Sequence, residues 1–248
     1  MNTNHELITL TWWLVFASFS ASLTALIIAI WGNRLSSLLF KPRLEFQYKH
    51  KWPDAIKIPI SKRRIIISPI PKEEIHNFAV SYYFRFRIRN KGNVTANNVE
   101  VFINKIEKQS INKNYEPYKP FIPLNLGWSN TDGQMYFPLI PPKISKHCDL
   151  GLILHPQKRQ INEMIEYSEE GNSCNFPGKE VIFQISFVVK PNVLESYYLI
   201  PGVYRLEVIA MASNSKMKKQ KFELVLKDKW IDNSEEMLSE SVGLKLIQ

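Results

Sequence analysis

The sequence contains few of the residues on which several common classes of protein depend. Its nine glycines are scattered, and none of them forms a glycine-rich phosphate loop after a predicted strand, which argues against a nucleotide-binding enzyme. Two cysteines, Cys148 and Cys174, are too few for a disulfide framework. No lysine or arginine precedes Arg34.

Residues 7–31 form a stretch of 25 residues without a single charge. About 20 apolar residues of α-helix cross the hydrocarbon core of a bilayer, so this stretch predicts a transmembrane helix. Trp12 and Trp13 near one end and Trp31 at the other are spaced to lie at the two headgroup levels. A cleaved signal peptide is the alternative interpretation. It is disfavoured because the stretch lacks a basic N-terminal flank and continues well past the possible cleavage site.

Charge asymmetry predicts the orientation of this helix. Basic residues, among them Lys41 and Arg43, follow it closely, whereas its N-terminal flank has none. The positive-inside rule then places the N-terminus outside and the C-terminal domain in the cytoplasm, at the inner cell membrane.

The part of the chain that follows the helix is basic. All 32 basic residues and 22 of the 23 acidic residues follow residue 33, which gives this part a net charge of +10. Such a charge has three possible explanations: contact with anionic lipid headgroups, binding of nucleic acid, or solubility alone. No recognised nucleic-acid motif is present, which argues against nucleic acid.

Small residues recur every fourth position along the predicted helix, at Ala17, Ala21, Ala25 and Ala29. Small side chains let helix backbones approach closely within a bilayer, so this stripe predicts a homo-oligomer formed through the helix. The alternative is that alanine and serine are simply common in membrane helices.

The residues after Pro42 alternate between apolar and polar, as β-strands with one buried face do. The longest such strand begins at Asn77, and its predicted core residues are Phe78, Val80, Tyr82, Phe84, Phe86 and Ile88. Its other face carries Arg85, Arg87 and Arg89. This row of arginines predicts either a solvated face or a contact with a partner, lipid or anion, because adjacent guanidinium groups repel unless something separates them.

The turn after this strand resembles a known family. Asn90, Gly92, Ala96, Val99 and Val101 form a strand-turn-strand pattern that resembles bacterial Ig-like sandwiches of the CARDB type, over about 25 residues. We expect Asn90 to bond the turn backbone and Val99, Val101 and Ile103 to return to the core. The family usually occurs outside the cell, which contrasts with a cytoplasmic domain.

A second segment is similar to the penultimate strand of many Ig-like domains. It contains Pro201, Gly202, Tyr204, Leu206 and Val208, with the tyrosine placed as in a tyrosine corner. Both resemblances imply a fold and no chemistry. The predicted fold class is therefore all-β, an elaborated Ig-like β-sandwich preceded by one N-terminal transmembrane α-helix.

The predicted organisation has five parts: a short outer N-terminus (1–6), the transmembrane helix (7–33), a basic juxtamembrane segment (34–43), the β-sandwich (44–228) and a C-terminal short helix and tail (229–248). Within the sandwich, residues 109–146 form a proline-rich insert that we expect to be loop-rich, with Trp128 closing one end of the sandwich. Asp232 or Ser234 is expected to cap the short C-terminal helix, and the last residues are expected to add an edge strand.

The densest cluster of reactive residues is His147, Cys148 and Asp149, with His155 and Cys174 further along the chain. Adjacent residues of a strand point to opposite faces, so His147 and Cys148 are poorly placed to share a zinc ion. A cysteine beside the apolar sequence LGLIL is more typical of a core residue than of a nucleophile. We therefore predict no catalytic, cofactor or metal site and a protein that is not an enzyme.

These observations lead to one functional hypothesis and one alternative. The hypothesis is a membrane-anchored, non-enzymatic interaction or scaffold protein that presents a basic β-sandwich at the inner membrane surface to an unknown protein partner. The alternative is a membrane-tethered binder of anionic lipid or nucleic acid. An enzyme would require a cleft that brings His147 or His155 to Cys148.

Overall fold

The computed structural model describes residues 3–66, 72–118, 121–131, 133–156, 179–189 and 198–247. The chain divides into two compact units, Met1–Lys41 and Pro42–Gln248. The first contains one helix, α1 (Thr3–Leu39), and the second consists mostly of β-strands. The predicted combination of an all-β domain with one N-terminal helix is confirmed.

α1 contains the apolar stretch Leu7–Ile30, 24 residues with a mean hydropathy of 2.1, none of them buried. This stretch is long and apolar enough to cross a membrane. Its hydroxyl groups bond within the helix, as where Ser22 Oγ donates to the carbonyl oxygen of Ser18 at 2.8 Å. Such bonds satisfy polar groups that hydrocarbon could not. α1 ends at Leu39, shortly before Pro42, which has no backbone N–H to continue it.

The strands of the second unit form two antiparallel sheets. Sheet A consists of β1 (Leu44–Gln47), β2 (Ala55–Ile66), β3 (Lys72–Asn90), β8 (Ser145–Leu154), β9 (Phe183–Ile185) and β10 (Tyr198–Leu199). Both β1 and β2 pair with one side of β3, and β8, β9 and β10 follow in order on its other side.

Sheet B consists of β4 (Ala96–Gln109), β5 (Tyr115–Pro117), β6 (Leu124–Asn125), β7 (Tyr136–Ile140), β11 (Gly202–Ala212), β12 (Ser215–Leu226) and β13 (Val242–Ile247). Its order is β13, β12, β11, β4, and the short strands β5, β6 and β7 each pair with β4. The predicted C-terminal edge strand is therefore present as β13.

A short helix, α2 (Ser234–Glu236), and a π-helical turn (Met237–Ser241) connect β12 to β13. Sequence reasoning assigned the helix cap to the wrong residues. The side chain of Asn233 accepts hydrogen bonds from the backbone N–H groups of Glu235 and Glu236, so Asn233 is the cap.

The inward faces of the two sheets form one hydrophobic core. Most of the predicted core face of β3 is fully buried, at Tyr82, Phe84, Phe86 and Ile88. The predicted core residues of β4 and β11 are fully buried too: Val99, Val101, Ile103, Tyr204, Leu206 and Val208. Val80 is exposed, contrary to the prediction, because β8 ends beside Ser81 and the sandwich ends with it. The side chain of Phe78 lies outside the described residues.

Aromatic side chains join the two sheets at the centre of this core. The ring centroids of Phe46 and Phe86 in sheet A lie 6.1 Å and 5.1 Å, respectively, from the centroid of Phe222 in sheet B. Rings at these separations attract each other beyond the effect of their buried area. The three rings therefore help to fix how sheet A packs on sheet B.

Two local predictions from the resemblances agree with the structure. Asn90 bonds the turn that follows it: its Oδ1 accepts from the N–H of Gly92 at 2.9 Å, and its Nδ2 donates to Val94 O at 2.7 Å. Tyr204 Oη donates to the carbonyl oxygen of Ile200, four residues upstream, at 2.7 Å. This is the hydrogen bond of a tyrosine corner.

The proline-rich insert is more regular than expected. It contributes β5, β6 and β7, all paired with β4. Residues 124–129 then cross from one sheet to the other: Leu126 N–H donates to Val101 O in sheet B at 2.8 Å, and Ser129 N–H donates to His147 O in sheet A at 3.1 Å. This crossing buries Trp128, which is only 2% exposed.

Gly151, where β8 meets β9, generates a prediction about stability. A Cβ atom added there would overlap Phe183 Cε1 and the carbonyl oxygen of Gln184. We expect Gly151→Ala to lower the free energy of unfolding by about 1–3 kcal/mol, measured by urea denaturation. Gly243→Ala is the matched control, since its Cβ would lie 3.6 Å from Val225 Cβ, an ordinary contact. Equal effects of the two substitutions would contradict the close approach of β8 and β9.

Candidate functional site

The pairing of β3 with β8 brings together two groups of residues that are distant in sequence. Arg85 lies opposite Asp149, and Arg87 lies opposite His147. Between them, Phe86 lies opposite Cys148, and both of these side chains are fully buried in the core. Residues of one strand alternate between faces, so the arginines, His147 and Asp149 share the outer face of sheet A. We call this surface, with Tyr83 and Arg89, the arginine face.

The centre of the arginine face is Asp54, whose side chain is fully buried. Its Oδ2 accepts from the backbone N–H of Lys49 at 2.8 Å and from Arg87 Nη2 at 3.2 Å. Its Oδ1 lies 3.2 Å from His147 Nε2. A buried carboxylate is tolerated where hydrogen bonds and a cation compensate its lost hydration, and both are present here.

The segment that carries Asp54 covers the arginine row. Arg85 Nε donates to the carbonyl oxygen of Pro53 at 2.8 Å, and Arg85 N–H donates to that of Asp54 at 2.8 Å. All three arginines are half-buried, and the Nε atoms of Arg87 and Arg89 are buried without an acceptor among the described residues. An acidic group of the chain itself, Asp54, therefore lies against the arginine row. Its negative charge offsets part of the repulsion among the guanidinium groups.

His147 is the residue of this face that sequence reasoning associated with metal or base chemistry. Burial lowers its pKa, and the positive charges of Arg85 and Arg87 act in the same direction, whereas Asp54 acts against them. A neutral ring with its proton on Nε2 donates to Asp54. His147 therefore acts as a neutral hydrogen-bond donor to Asp54 within a structural network.

Asp149 forms a second polar group beside the first. Its carboxylate accepts hydrogen bonds from the hydroxyl groups of Ser129 and Tyr83. Burial raises the pKa of Asp149, although these hydrogen bonds and Arg85 oppose the rise. Burial also raises the pKa of Tyr83, which keeps its hydroxyl a donor. The Ser129 hydroxyl bonds a carboxylate, so it is not arranged as a nucleophile activated by histidine.

The reactive cluster is divided by the strand on which it lies. Cys148 is fully buried, its Sγ donates to Gly127 O at 3.4 Å, and burial raises the pKa of its thiol well above the ordinary value. His155 packs edge-on against Trp230, with centroids 4.8 Å apart. Cys174 lies outside the described residues. Within the described part of the chain, no three histidine, cysteine or acidic side chains are grouped to hold a metal ion.

A cleft of about 270 Å³ opens beside Asp149. Its wall includes Trp128, Gln184 and Phe187, and Gly127 and Gly133 contribute no side chains to it. The Trp128 indole is 2% exposed, and its Nε1–H has no acceptor among the described residues. The cleft therefore combines a carboxylate with apolar surface.

A second surface lies on the outer face of sheet B. Glu100 on β4 pairs with Tyr136 on β7 and with Met211 on β11, which places these three residues in one row. Leu139 follows on β7, and Met217 lies at the β12 irregularity opposite Met211. Tyr136, Leu139, Met211 and Met217 are all exposed, and we call them the sheet B patch. Sequence reasoning missed this patch, although it pointed to the insert that supplies half of it.

The remaining predicted contact residues lie elsewhere. Arg43 is exposed, and its backbone joins the Asn90 turn, because its N–H donates to Asn90 Oδ1 at 3.1 Å. Lys41 is half-buried and belongs to the first unit. The alanines at positions 17, 21, 25 and 29 are exposed along α1.

No protein-family model, curated protein or solved structure matches this chain. The similarity to CARDB-type domains therefore stays a prediction from one short segment. Function has to be argued from the surfaces described above.

The pKa of His147 generates a prediction about pH. Because burial lowers this pKa in the folded chain, the unfolded chain binds a proton more readily once the pH falls below the ordinary histidine value of about 6.5. The free energy of unfolding should therefore fall as the pH is lowered through this value. We expect His147→Gln, which keeps a donor for Asp54, to reduce that fall between about pH 7.5 and 5.5 in urea titrations. An unchanged slope in the variant would contradict the assignment.

Proposed function

We propose that this chain is a membrane-anchored, non-enzymatic interaction protein. The observation that carries the proposal is the unburied apolar stretch Leu7–Ile30, which is continuous with a separate unit that has a full hydrophobic core of its own. A helix of this composition is stable when lipid covers it. The bilayer then fixes the location of the chain, and the β-sandwich is the part that meets partners.

The charge distribution supports a cytoplasmic sandwich at the inner membrane surface. Basic residues begin at Arg34 and continue through Lys41 and Arg43, and the N-terminal flank has none. The buried thiol of Cys148 is free and donates to a carbonyl, which is compatible with a reducing compartment.

Binding explains the surfaces of the sandwich better than catalysis. The thiol of Cys148 faces the core, His147 is held by Asp54, and the Ser129 hydroxyl is held by Asp149. These three groups are thus engaged in contacts that hold the fold.

The sheet B patch is the surface best suited to a protein partner. Its methionines are flexible and adapt to an apposed apolar surface, and Tyr136 provides a rigid contact. Lys216, Lys218 and Lys219 are exposed on the adjoining strand β12. A partner with an apolar centre and an acidic rim would complement both features.

The helix supports a proposed self-association as well. The hydroxyls of Ser18 and Ser22 bond the backbone of their own helix, so they need no partner across an interface. Close contact would then come from the stripe Ala17, Ala21, Ala25 and Ala29, which permits near approach of two backbones.

Anionic lipid is the second candidate partner, favoured by the exposed lysines of β12 and the net charge of the sandwich. The arginine row contributes less to lipid binding than the sequence implied. Arg87 already bonds Asp54, and Arg85 already bonds the carbonyl oxygen of Pro53. A lipid-binding sandwich would release its ligand steeply as salt rises, whereas a largely apolar interface would not.

The proposed orientation predicts the labelling of an introduced cysteine. Ile111 is fully exposed, so Ile111→Cys offers an accessible thiol. A membrane-impermeant maleimide should label it only after cells are permeabilised, whereas Asn4→Cys should react in intact cells. The unsubstituted chain gives the background from the native cysteines. The reverse labelling pattern would show the opposite orientation. Release of the full chain by alkaline washing would contradict the proposed membrane anchor.

The proposed interface predicts a position-dependent photocrosslink. A photoreactive phenylalanine analogue at Tyr136 or Met211 should give the same protein adduct in intact membranes, and Met211→Glu should abolish the adduct formed from position 136. Lys227 is the control position, exposed directly after the end of β12 and about 30 Å from Met217. Equal adducts at all three positions would contradict a defined interface. Adducts with lipid alone would favour the second candidate.

A further inference from the structure

We propose that the end of the sandwich at which the chain enters it docks onto the anionic headgroups of the bilayer. The residues of this end that carry the proposal, which we call the entry rim, are Arg43, Lys91, Lys143, Ile144 and Lys216. The inference deepens the proposed function and rests on its membrane anchor. It names the surface that meets the bilayer and the class of lipid that this surface takes.

A fully buried asparagine, Asn90, fixes several segments of the chain at this end. Its Oδ1 accepts from Arg43 N–H at 3.1 Å, and its Nδ2 donates to Ile140 O at 3.0 Å. Its backbone N–H donates to Ile144 O at 3.0 Å, and its carbonyl oxygen accepts from Lys143 N–H at 2.7 Å. Arg43, Lys143 and Ile144 are therefore held in place before any ligand binds.

The turn between β11 and β12 joins the same end. Asn214 Nδ2 donates to Thr95 O at 2.8 Å, and Asn97 N–H donates to Asn214 Oδ1 at 3.0 Å. Thr95 and Asn97 lie where β4 begins, directly after the turn that Asn90 bonds. Lys216 follows at the start of β12 and therefore lies at this end.

The entry rim carries positive charge that the chain itself does not neutralise. Its four basic side chains are exposed. Glu45 forms an ion pair with Lys91. Within the described ranges, Arg43, Lys143 and Lys216 have no acidic partner. Anionic headgroups would provide the missing negative charges.

The opposite end of the sandwich has a different balance of charge. It contains the end of β12 and the segment that leads to β13, and Trp230 N–H of this segment donates to Glu180. The exposed acidic residues of this end are Glu180, Asp228, Asp232, Glu235, Glu236 and Glu240. Lysines of the same end pair with some of them, as Lys179 does with Asp228 at 3.0 Å. An anionic bilayer would therefore attract the entry rim more strongly than the opposite end.

Ile144 adds apolar surface to the charged rim. Its side chain is 46% exposed in the turn 141–144, beside Lys143. Ile111 at the opposite end is exposed as well, so an exposed isoleucine alone selects no partner. An apolar side chain among basic ones matches the boundary between headgroups and acyl chains, because the apolar group is covered there while the cations stay at the phosphates.

The sequence tethers this end to the bilayer. The sandwich unit begins at Pro42, and residues 31–41 alone separate it from the apolar stretch Leu7–Ile30. A short tether gives the entry rim a high effective concentration at a membrane surface. Another polyanion, such as nucleic acid, would have to reach the rim from solution and compete with that surface. Anionic lipid is therefore the favoured partner.

The test uses the full chain in nanodiscs of phosphatidylcholine, with or without about 30% phosphatidylserine in both leaflets. A photoreactive phenylalanine analogue replaces Ile144, or Ile111 as the matched control at the opposite end. We expect phosphatidylserine to raise the yield of lipid adducts from position 144 about three- to tenfold, and about 0.5 M NaCl to reverse this rise. Position 111 should give few adducts in either membrane. Since both leaflets have the same composition, the orientation of the chain does not affect the result.

Two charge reversals connect the adduct to the named residues. Lys143→Glu and Lys216→Glu should each reduce the adduct from position 144 in phosphatidylserine nanodiscs about three- to tenfold. Lys113→Glu is the matched control at the opposite end and should leave it unchanged. Lys113 is exposed and has φ +61°, close to the φ +65° of Lys143. Urea denaturation of each variant establishes that it is folded.

Equal adducts from position 144 in the two membranes would overturn the proposal, because the tether alone would then explain them. Equal effects of Lys143→Glu and Lys113→Glu would also overturn it, as would adducts with an added DNA duplex in place of lipid. These results are independent of the crosslinks at Tyr136 and of the alkaline washing that tests the anchor. Failure of lipid docking is therefore distinguishable from failure of the proposed function.

Discussion

The contacts that cover both faces of β3 are the constraint on which the rest of the structure depends. Its inner face supplies the aromatic side chains Tyr82, Phe84 and Phe86 to the core. Its outer face carries arginines, which cannot be covered by apolar residues without a large loss of hydration. Asp54 resolves this conflict, because one buried carboxylate bonds Arg87 and His147 while its own backbone bonds Arg85. The Asp54 segment, β3 and β8 are positioned together by these contacts.

The two-residue period of the strand also decides what chemistry is present on β8. Cys148 lies between His147 and Asp149 in sequence, but the pleat turns it into the core and turns its neighbours outward. The same alternation brings His147 beside Arg87 and Asp149 beside Arg85. A sequence that looks like a reactive cluster therefore becomes one core thiol and two separate polar networks.

Local patterns predicted those parts of the fold that local physics determines. The core residues of β3, β4 and β11 follow from alternation, and the bonds of Asn90 and Tyr204 follow from their places in a turn and at a strand start. The prediction that Val80 is a core residue was wrong. Burial depends on where a neighbouring strand ends, and the alternation of residues along one strand does not encode this. Asp54 could not be recognised from its surroundings in sequence, since its partners Arg87 and His147 lie 33 and 93 residues away. Trp128 was expected to close an end of the sandwich, but the crossing that buries it depends on bonds to both sheets.

That crossing segment explains how one sandwich can present two unlike surfaces. Residues 124–129 bond Val101 in sheet B and His147 in sheet A, so the insert is fixed at both ends of its passage. On the sheet A side it supplies Trp128 and Gly127 to the cleft, and further along the chain the same insert supplies Tyr136 and Leu139 to the sheet B patch. The cleft and the apolar patch lie on different sheets. The proline-rich insert is therefore the part of the chain that distinguishes this sandwich from a plain pair of sheets.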